Sequence, residues 1–539
     1  MTTIDTGHAQ NVSARGVTAG GGLATVAEWV TTADHKRIGR LFVGVGLVLL
    51  AGAVVVGGLL GFERIDPDTT TLPAAGVARM FTLYRVGLPY LAVAPLLVGL
   101  GIAVVPLQLG ARSIAFGRTA ALGLWAWIFG SALVVITYIG HGGIGGSDGK
   151  LVELFTAGFA LALVGLLLAA VSLATTILTT RAPGMTLRRI PLFSWASLAG
   201  ATAIIVSVPV LVADLVMLTV DRRAGANAGF GASADMLGWL YWALTVPAVL
   251  VLVVPSLGIL ADVAHTTTRR RLTTHAPILV GVGLFATAAL SAVTQKVHVL
   301  PWSGDAGDKI ADLLPWALFN LLPILGPLVV IGAVLAALGA AKPRHLPAAL
   351  LFAVLGALLI LLGTAANALT GIVDLDLLGT TYEEGTVVLV LGGAVLAALG
   401  GLVHWGPKLW GRTLPNGGLL PLALVGALGV AVAGVALLIA GFQGQPAMAY
   451  GGFDYDLSPQ VLNTLVLVGH GLLLLCIAAV VILALKGFTR GPLAGDDPWD
   501  GATLEWATSS PPPGDNFVEV PRVASASPLL DLKPARSDA

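Results

Sequence analysis

Long apolar runs, separated by short polar segments, recur along almost the whole chain. An α-helix needs about 20 apolar residues to cross a hydrocarbon core of roughly 30 Å. Runs of about this length cover residues 40–62, 81–107, 119–140, 151–179, 191–219, 236–263, 275–297, 313–340, 346–372, 385–405, 418–441 and 462–486. Lipid offers no hydrogen-bond partners, so each run must satisfy its own backbone as a helix. The pattern therefore predicts an all-α polytopic membrane protein with twelve transmembrane helices.

The composition agrees with this prediction. Hydrophobic residues make up 56% of the chain and charged residues 11%, whereas about 25% of the residues of a soluble domain are charged. The formal net charge is zero, which leaves no electrostatic basis for binding nucleic acid. The single cysteine, Cys476, lies within the last apolar run and excludes an internal disulfide. We expect the lipid bilayer to be the main partner.

Charged residues in the loops separate onto the two sides that alternating helices define. The loops after odd-numbered runs carry the acids Glu63, Asp66, Asp68, Asp148, Asp305, Asp308, Asp374, Asp376, Asp454 and Asp456. The other side carries the cations Lys36, Arg37, Arg40, Arg112, Arg118, Arg181, Arg188, Arg189, Arg269, Arg270, Arg271, Lys342, Arg344, Lys408, Arg412, Lys486 and Arg490. Cytoplasmic loops carry an excess of lysine and arginine. We therefore expect a plasma-membrane protein with both termini in the cytoplasm.

The chain divides into three regions by composition. Residues 1–28 are rich in glycine, threonine and alanine and are predicted to be disordered. Residues 29–490 contain all twelve apolar runs and form the predicted membrane domain. Residues 491–539 are polar and rich in proline, including 511–513, and form a predicted cytoplasmic tail.

Several motifs are too particular to follow from hydrophobicity alone. Trp242 and Pro247 form a Trp-x4-Pro spacing. The other motifs are Trp29 with 31–39 (TTADHKRIG), 105–112 (VPLQLGAR), 181–186 (RAPGMT) with 191–195 (PLFSW), 405–408 (WGPK), 443–444 (QG), and 497–501 (DPWDG) with 504–506 (LEW). Together they resemble heme-copper oxidase subunit I, the cytochrome c oxidase subunit 1 family, over nearly the whole chain. The resemblance implies a twelve-helix bundle that reduces oxygen at a heme–copper pair and pumps protons.

The positions at which that family carries its metal ligands hold other residues here. Tyr84 aligns with the histidine of the low-spin heme, and Val246 aligns with a copper histidine. Gly385 and Val387 lie where the tenth helix should supply histidines to both hemes. His298 aligns with one further copper histidine, although a lone histidine at a helix end is more simply an interfacial residue. Since imidazoles hold these metals, we predict a degenerate member with no catalytic residue, heme or copper.

Loss of two hemes would leave voids, and an empty cavity costs about 24 cal/mol per Å³. The paired arginines that hold the heme propionates in the family align with Ala447 and Met448. Arg85, in the second run, and Glu383 and Glu384, before the tenth, lie next to the lost ligands. Isolated charges in lipid are costly, so we expect Arg85 to pair with Glu383 or Glu384 and to replace the heme as the link between these helices. Alternatively, both glutamates extend to the outer surface.

Two other charged positions allow more than one interpretation. Asp214 lies inside the fifth run, where it either accepts a hydrogen bond from a neighbouring helix or belongs to a proton or ion path. Lys296 precedes Asp305 and Asp308, which is typical of an interfacial charge cluster.

Three functions remain open at this point. The first is a non-catalytic pseudoenzyme that keeps the fold and associates with other subunits of the respiratory electron-transport chain. The second is an active terminal oxidase that binds heme and copper through unusual ligands. The third is a transporter, or a lipid- or quinone-binding protein, that uses the emptied heme cavities.

Overall fold

Twelve membrane-spanning helices form a single bundle. The computed structural model describes residues 22–66, 71–224, 240–295, 299–300, 305–448, 453–520 and 522–533. Within these ranges the spans are α1 His35–Glu63, α2 Ala74–Gln108, α3 Gly117–Ile139, α4 Gly149–Thr179, α5 Leu192–Arg223, α6 Leu240–Thr268, α7 His275–Thr294, α8 Lys309–Ala341, α9 Ala348–Thr370, α10 Thr381–Trp410, α11 Asn416–Phe442 and α12 Leu457–Arg490. Each corresponds to one predicted run, so the predicted fold class is confirmed and the protein is integral to a membrane.

An even number of spans brings both ends of the chain to one end of the bundle. We call this end, which carries the start of α1 and the end of α12, the terminal face, and we call the other end the loop face. Helices α2, α6 and α10 lie at the centre. Their most apolar 18-residue stretches are entirely buried, whereas those of the other nine helices are 39–61% buried. The three central helices are also those that carry the aligned ligand positions.

Glycines allow the helices to approach closely. Gly356 on α9 faces Gly393 on α10, and a Cβ at either residue would lie 2.4 Å from the other's carbonyl oxygen. Packing between small residues replaces the hydrophobic effect as the source of helix association in lipid. Any side chain at this contact would force the two helices apart.

A proline sets the local shape of α6 and creates its bond to α2. The helix is interrupted at Leu244 and Thr245, and it resumes with Val246–Val253. Pro247 has no N–H, so the carbonyl of Ala243 loses its usual helical donor. The hydroxyl of Tyr90 on α2 donates to that carbonyl at 2.6 Å, which satisfies a buried acceptor.

Helix α2 changes its winding next to this contact. Residues Gly87–Val93 form a π-helical segment that contains Pro89. A second π-helical segment, Ala317–Leu321, lies in α8 close to Pro315 and Pro323. Prolines remove helical donors, and π-bulges of this kind often lie at functional sites. The segment in α2 follows directly after Arg85 and turns the helix at the charged site described below.

The tail packs against the terminal face, whereas the N-terminal segment makes a few polar contacts with it. Residues Gly22–Val30 form a short helix, and the disorder of residues 1–28 stays a prediction. Val26 and Val30 of this helix are 58% and 44% exposed. In the tail, Leu504–Ala507 and Pro528–Leu532 are short helices, and Trp506 is 2% exposed. The tail is therefore anchored to the bundle along much of its length.

Candidate functional site

Four charged side chains meet inside the bundle near the loop face. Arg64 follows the end of α1, Arg85 lies on α2, and Glu383 and Glu384 lie in the first turn of α10. Arg64 Nη1 lies 2.8 Å from Glu384 Oε2, and Arg85 Nη2 lies 3.6 Å from Glu383 Oε1. All four residues are at most 5% exposed. The site thus contains two buried ion pairs whose charges cancel.

Each pair is joined to a further element of the fold. Arg64 Nη2 donates to the carbonyl of Ala447 at 2.5 Å. Arg85 donates to the carbonyl of Leu244, which the interruption in α6 leaves without its helical donor. The hydroxyl of Tyr241 donates to Glu383. A buried charge is tolerated only where it is paired and hydrogen-bonded, and these contacts meet that requirement while tying α1, α2 and α6 to α10.

The position of the acids on α10 adds to this arrangement. Glu383 and Glu384 follow the capping residue Thr380, whose side chain accepts from the backbone N–H of Tyr382 at 3.2 Å. The N-terminus of a helix carries a partial positive charge that favours carboxylates in its first turn. Both carboxylates therefore lie where the dipole of α10 favours negative charge.

The two glutamates pair with different arginines. Arg85 lies beside Glu383, and Glu384 instead pairs with Arg64. Neither glutamate extends to the surface, since they are 5% and 1% exposed. The pairing of Arg64 was not predicted. Its position gave no signal, because Lys150, Arg222 and Arg223 are further cations at the loop face.

A cavity of about 370 Å³ adjoins the two ion pairs. Phe81 and Met448 contribute to its largely apolar wall. Three buried polar atoms at the cavity have no hydrogen-bond partner, namely Arg85 Nη1, Glu383 Oε1 and Glu384 Oε1. Buried polar atoms are usually satisfied by protein, water or a ligand. Arg85, Glu383 and Glu384 all line the cavity, so one donor and two acceptors lie close to its wall.

Tyr84, at the aligned position of the low-spin heme ligand, has a side-chain partner. Its hydroxyl lies 3.1 Å from Nε2 of His470 on α12, and Nδ1 of that histidine lies 2.9 Å from the carbonyl of Val466. A carbonyl only accepts, so Nδ1 carries the proton, and Nε2 of the neutral ring accepts from Tyr84. A Cβ at Gly57 on α1 would lie 2.4 Å from Nε2 of His470, so α1 closes directly over the pair.

The other aligned ligand positions are filled by apolar packing. Val246 and Val387 are buried at 0% and 1% exposure. Gly385 faces α11, because a Cβ there would lie 2.8 Å from the carbonyl oxygen of Gly434. Apolar side chains have no donor atom for iron or copper. The residues present therefore do not fit a heme or a copper ion at these positions.

No group of three or more His, Cys, Asp or Glu side chains comes together as metal ligands within the described parts of the chain. His298 and Lys296 lie outside the described residues. Asp214 on α5 accepts from Nε2 of Gln295, which follows α7, at 2.9 and 3.0 Å. This contact is the hydrogen bond to a neighbouring helix that the sequence analysis considered for Asp214.

A second buried network, which the sequence analysis did not identify, lies at the terminal face. Gln108 Nε2 donates to Asp262 at 2.7 Å and to Glu505 at 3.1 Å. Asp262 also accepts from the backbone N–H groups of Leu192 and Phe193, which begin α5, each at 3.0 Å. Burial raises the pKa of Glu505, and its hydrogen bonds offset part of this effect. The network fixes the tail to the central helices.

Comparison with known proteins identifies relatives of the whole membrane domain. Residues 37–472 match the family described as cytochrome c and quinol oxidase polypeptide I. Cytochrome c oxidase subunit 1 of Bacillus subtilis is 28% identical, and the match covers 94% of this chain and 83% of that protein. Among solved structures, a heme-copper terminal oxidase dimer determined by cryo-EM matches with a TM-score of 0.65 and 15% identity, over 85% of this chain and 84% of that chain. At that identity the structural match shows the fold alone.

Proposed function

Because the chain belongs to the cytochrome c and quinol oxidase polypeptide I family, we propose that it is an oxidase subunit I-like membrane protein without a catalytic metal centre. The occupants of the aligned ligand positions carry this proposal. Tyr84, Val246, Gly385 and Val387 provide no imidazole, and the hydroxyl of Tyr84 is committed to His470. Imidazole ligation is the chemistry that holds heme iron and copper in this family.

The two ion pairs support a structural role in place of the cofactor. A heme ligated by α2 and α10 would hold these helices together. Here Arg85 and Glu383 join the same two helices, and Arg64 and Glu384 join α1 to α10. Truncating one member of such a buried pair leaves an unpaired charge. These ion pairs thus connect α10 to α1 and to α2.

Members of this family work in the membrane with other oxidase subunits. We propose that this chain is a non-catalytic subunit of such a respiratory complex, in the plasma membrane with both termini in the cytoplasm. Lysine and arginine concentrate at the terminal face, which supports this orientation. A reporter enzyme active only outside the cytoplasm, fused after residue 539, should be inactive; the same reporter in the loop after α3 should be active.

The absorption spectrum of the purified full-length chain tests the absence of heme. The reduced-minus-oxidised difference spectrum should lack a heme band, and elemental analysis should find iron and copper well below one atom per chain. A known heme protein, produced in parallel in the same host, shows whether heme was available. A stoichiometric low-spin heme in the unmodified chain would overturn the proposal and favour an active oxidase with unusual ligands.

One observation favours the alternative that the loop-face cavity binds a ligand. Arg85, Glu383 and Glu384, each with one side-chain atom that makes no hydrogen bond, line a largely apolar space of about 370 Å³, a size within the usual range for small-molecule sites. A lipid or quinone that combines an apolar body with a polar head fits this chemistry. Equilibrium binding of a short-chain quinone, compared between the unmodified chain and the Glu383→Gln variant, tests the alternative; equal or undetectable binding in both would exclude a quinone.

A further inference from the structure

A polar cavity lies at the terminal face, away from the buried ion pairs. It encloses about 610 Å³ between the ends of α6 and α8, the start of α9, the last turns of α10 and Trp499 of the tail. This volume is within the range of small-molecule sites. None of the proposals above uses this cavity.

Positive charge dominates the cavity. Arg269, Arg270, Lys342 and Arg344 line it together with His345. No aspartate or glutamate contributes to its described wall. None of the four permanent cations has a carboxylate partner within 4.0 Å among the described residues. Their charge is therefore available to an anion.

Two of these cations cap helices, and the other two do not. Arg269 and Lys342 are the C-cap residues of α6 and α8, where a cation offsets the negative end of the helix dipole. Arg270 and Arg344 lie beyond the helix ends and are exposed. Neither of them donates a side-chain hydrogen bond or forms an ion pair among the described residues. An exposed guanidinium with no partner is suited to bidentate contact with a phosphate.

A buried ring nitrogen without a hydrogen-bond partner lies in the inner wall. His404 lines the cavity, is 3% exposed and stacks at 6.0 Å on Trp499. Its Nε2 atom is buried and has no hydrogen-bond partner. Helix α9 also begins at the cavity, where the side chain of Asn416 accepts from the backbone N–H of Ala348 at 2.6 Å. The positive end of the helix dipole adds to the field of the arginines.

We propose that this cavity binds a phosphate group, with Arg270 and Arg344 at its mouth and His404 at its inner wall. The phosphate belongs either to a free di- or polyphosphate or to the headgroup of an anionic phospholipid. Both sources present the same chemistry, namely oxygen acceptors and negative charge. Basic pockets between helices at the cytoplasmic side of a membrane can hold anionic headgroups.

Two arms of one experiment distinguish the sources. In the first, the full chain in an uncharged detergent is titrated with inorganic pyrophosphate by calorimetry. In the second, the chain is reconstituted with phosphatidylglycerol and phosphatidylcholine, and the lipids that it retains are counted by native mass spectrometry. The test variant is Arg270→Gln with Arg344→Gln, both at exposed positions whose loss leaves the fold intact. The matched control is Arg188→Gln with Arg490→Gln, which removes the same charge from exposed positions on the same face outside the cavity.

The expected result is binding by the unmodified chain and by the control, with at least about tenfold weaker binding by the test variant, because each arginine supplies a charge-assisted contact. Dependence on Arg270 and Arg344 in the pyrophosphate arm identifies a free phosphate compound, and dependence in the lipid arm alone identifies a headgroup. Absence of binding in both arms overturns the proposal. An equal loss in test variant and control also overturns it, because the attraction would then be a general property of the surface.

Discussion

The buried pair between Arg64 and Glu384 makes a quantitative prediction about stability. The two side chains are 2% and 1% exposed, and their closest atoms are 2.8 Å apart. The Glu384→Gln variant keeps the shape of the side chain, so it creates no cavity, and it leaves the guanidinium charge buried without its counter-ion. Removing one partner of a buried ion pair costs about 3–5 kcal/mol. We expect a loss of stability of this size, reduced where Arg64 keeps its bond to Ala447.

Reversible unfolding in mixed detergent micelles, followed by tryptophan fluorescence, measures this loss. The matched control is Glu153→Gln, which breaks another Arg–Glu pair of similar length, 3.1 Å to Arg223, whose side chains are 38% and 67% exposed. Solvent screens such a pair, so the control should unfold close to the unmodified protein. The two variants differ mainly in the burial of the pair that they break.

A double variant completes the test. Replacing Arg64 by Met and Glu384 by Leu removes both charges together, and replacement of a buried pair by apolar residues is often close to neutral. The double variant should therefore be more stable than Glu384→Gln alone. The reasoning is refuted if Glu384→Gln unfolds like the exposed-pair control, or if the double variant loses as much as its two single variants combined.

Three further predictions concern single side chains. Tyr84→Phe should destabilise the protein by about 1–3 kcal/mol in the same unfolding assay, because it leaves a buried nitrogen of His470 without its donor; no change would mean that water replaces the hydroxyl. Tyr90→Phe should have a similar cost, because it leaves the buried carbonyl of Ala243 without a donor and Pro247 has no N–H to replace it. An unchanged unfolding midpoint would argue against that account of α6. Burial raises the pKa of Glu505, so the folded state holds this proton more tightly than the unfolded state, and docking of the tail should weaken as the pH rises through the raised pKa. Limited proteolysis of the tail at increasing pH measures this effect, which Glu505→Gln should reduce; equal protection of the tail at all pH values would contradict it.

The membrane helices could be predicted because the signal for each is local. Every predicted run lies in one observed span, with differences of a few residues at the ends. The family resemblance depended on loop motifs that are also contiguous in the chain. The candidate ligand positions followed from that alignment, and the structure shows what occupies them.

The contacts at those positions could not be predicted in the same way. Arg64 and Glu384 are 320 residues apart, and Tyr84 and His470 are 386 apart. Nothing in the neighbourhood of Glu384 distinguishes Arg64 from Arg85 as its partner. That choice depends on which side of α10 each helix occupies.

The sequence alone determined that lipid surrounds this protein, how many helices it has and which side chains occupy the candidate ligand positions. Lipid accepts only long apolar helices with internally bonded backbones, so a one-dimensional pattern was sufficient for these features. Only the tertiary structure decided which charges neutralise each other and that Tyr90 bonds to the interrupted helix α6. It also decided that four cations without a carboxylate partner among the described residues surround one cavity. These features depend on distances between helices that are far apart in the chain, and close packing of small residues sets those distances.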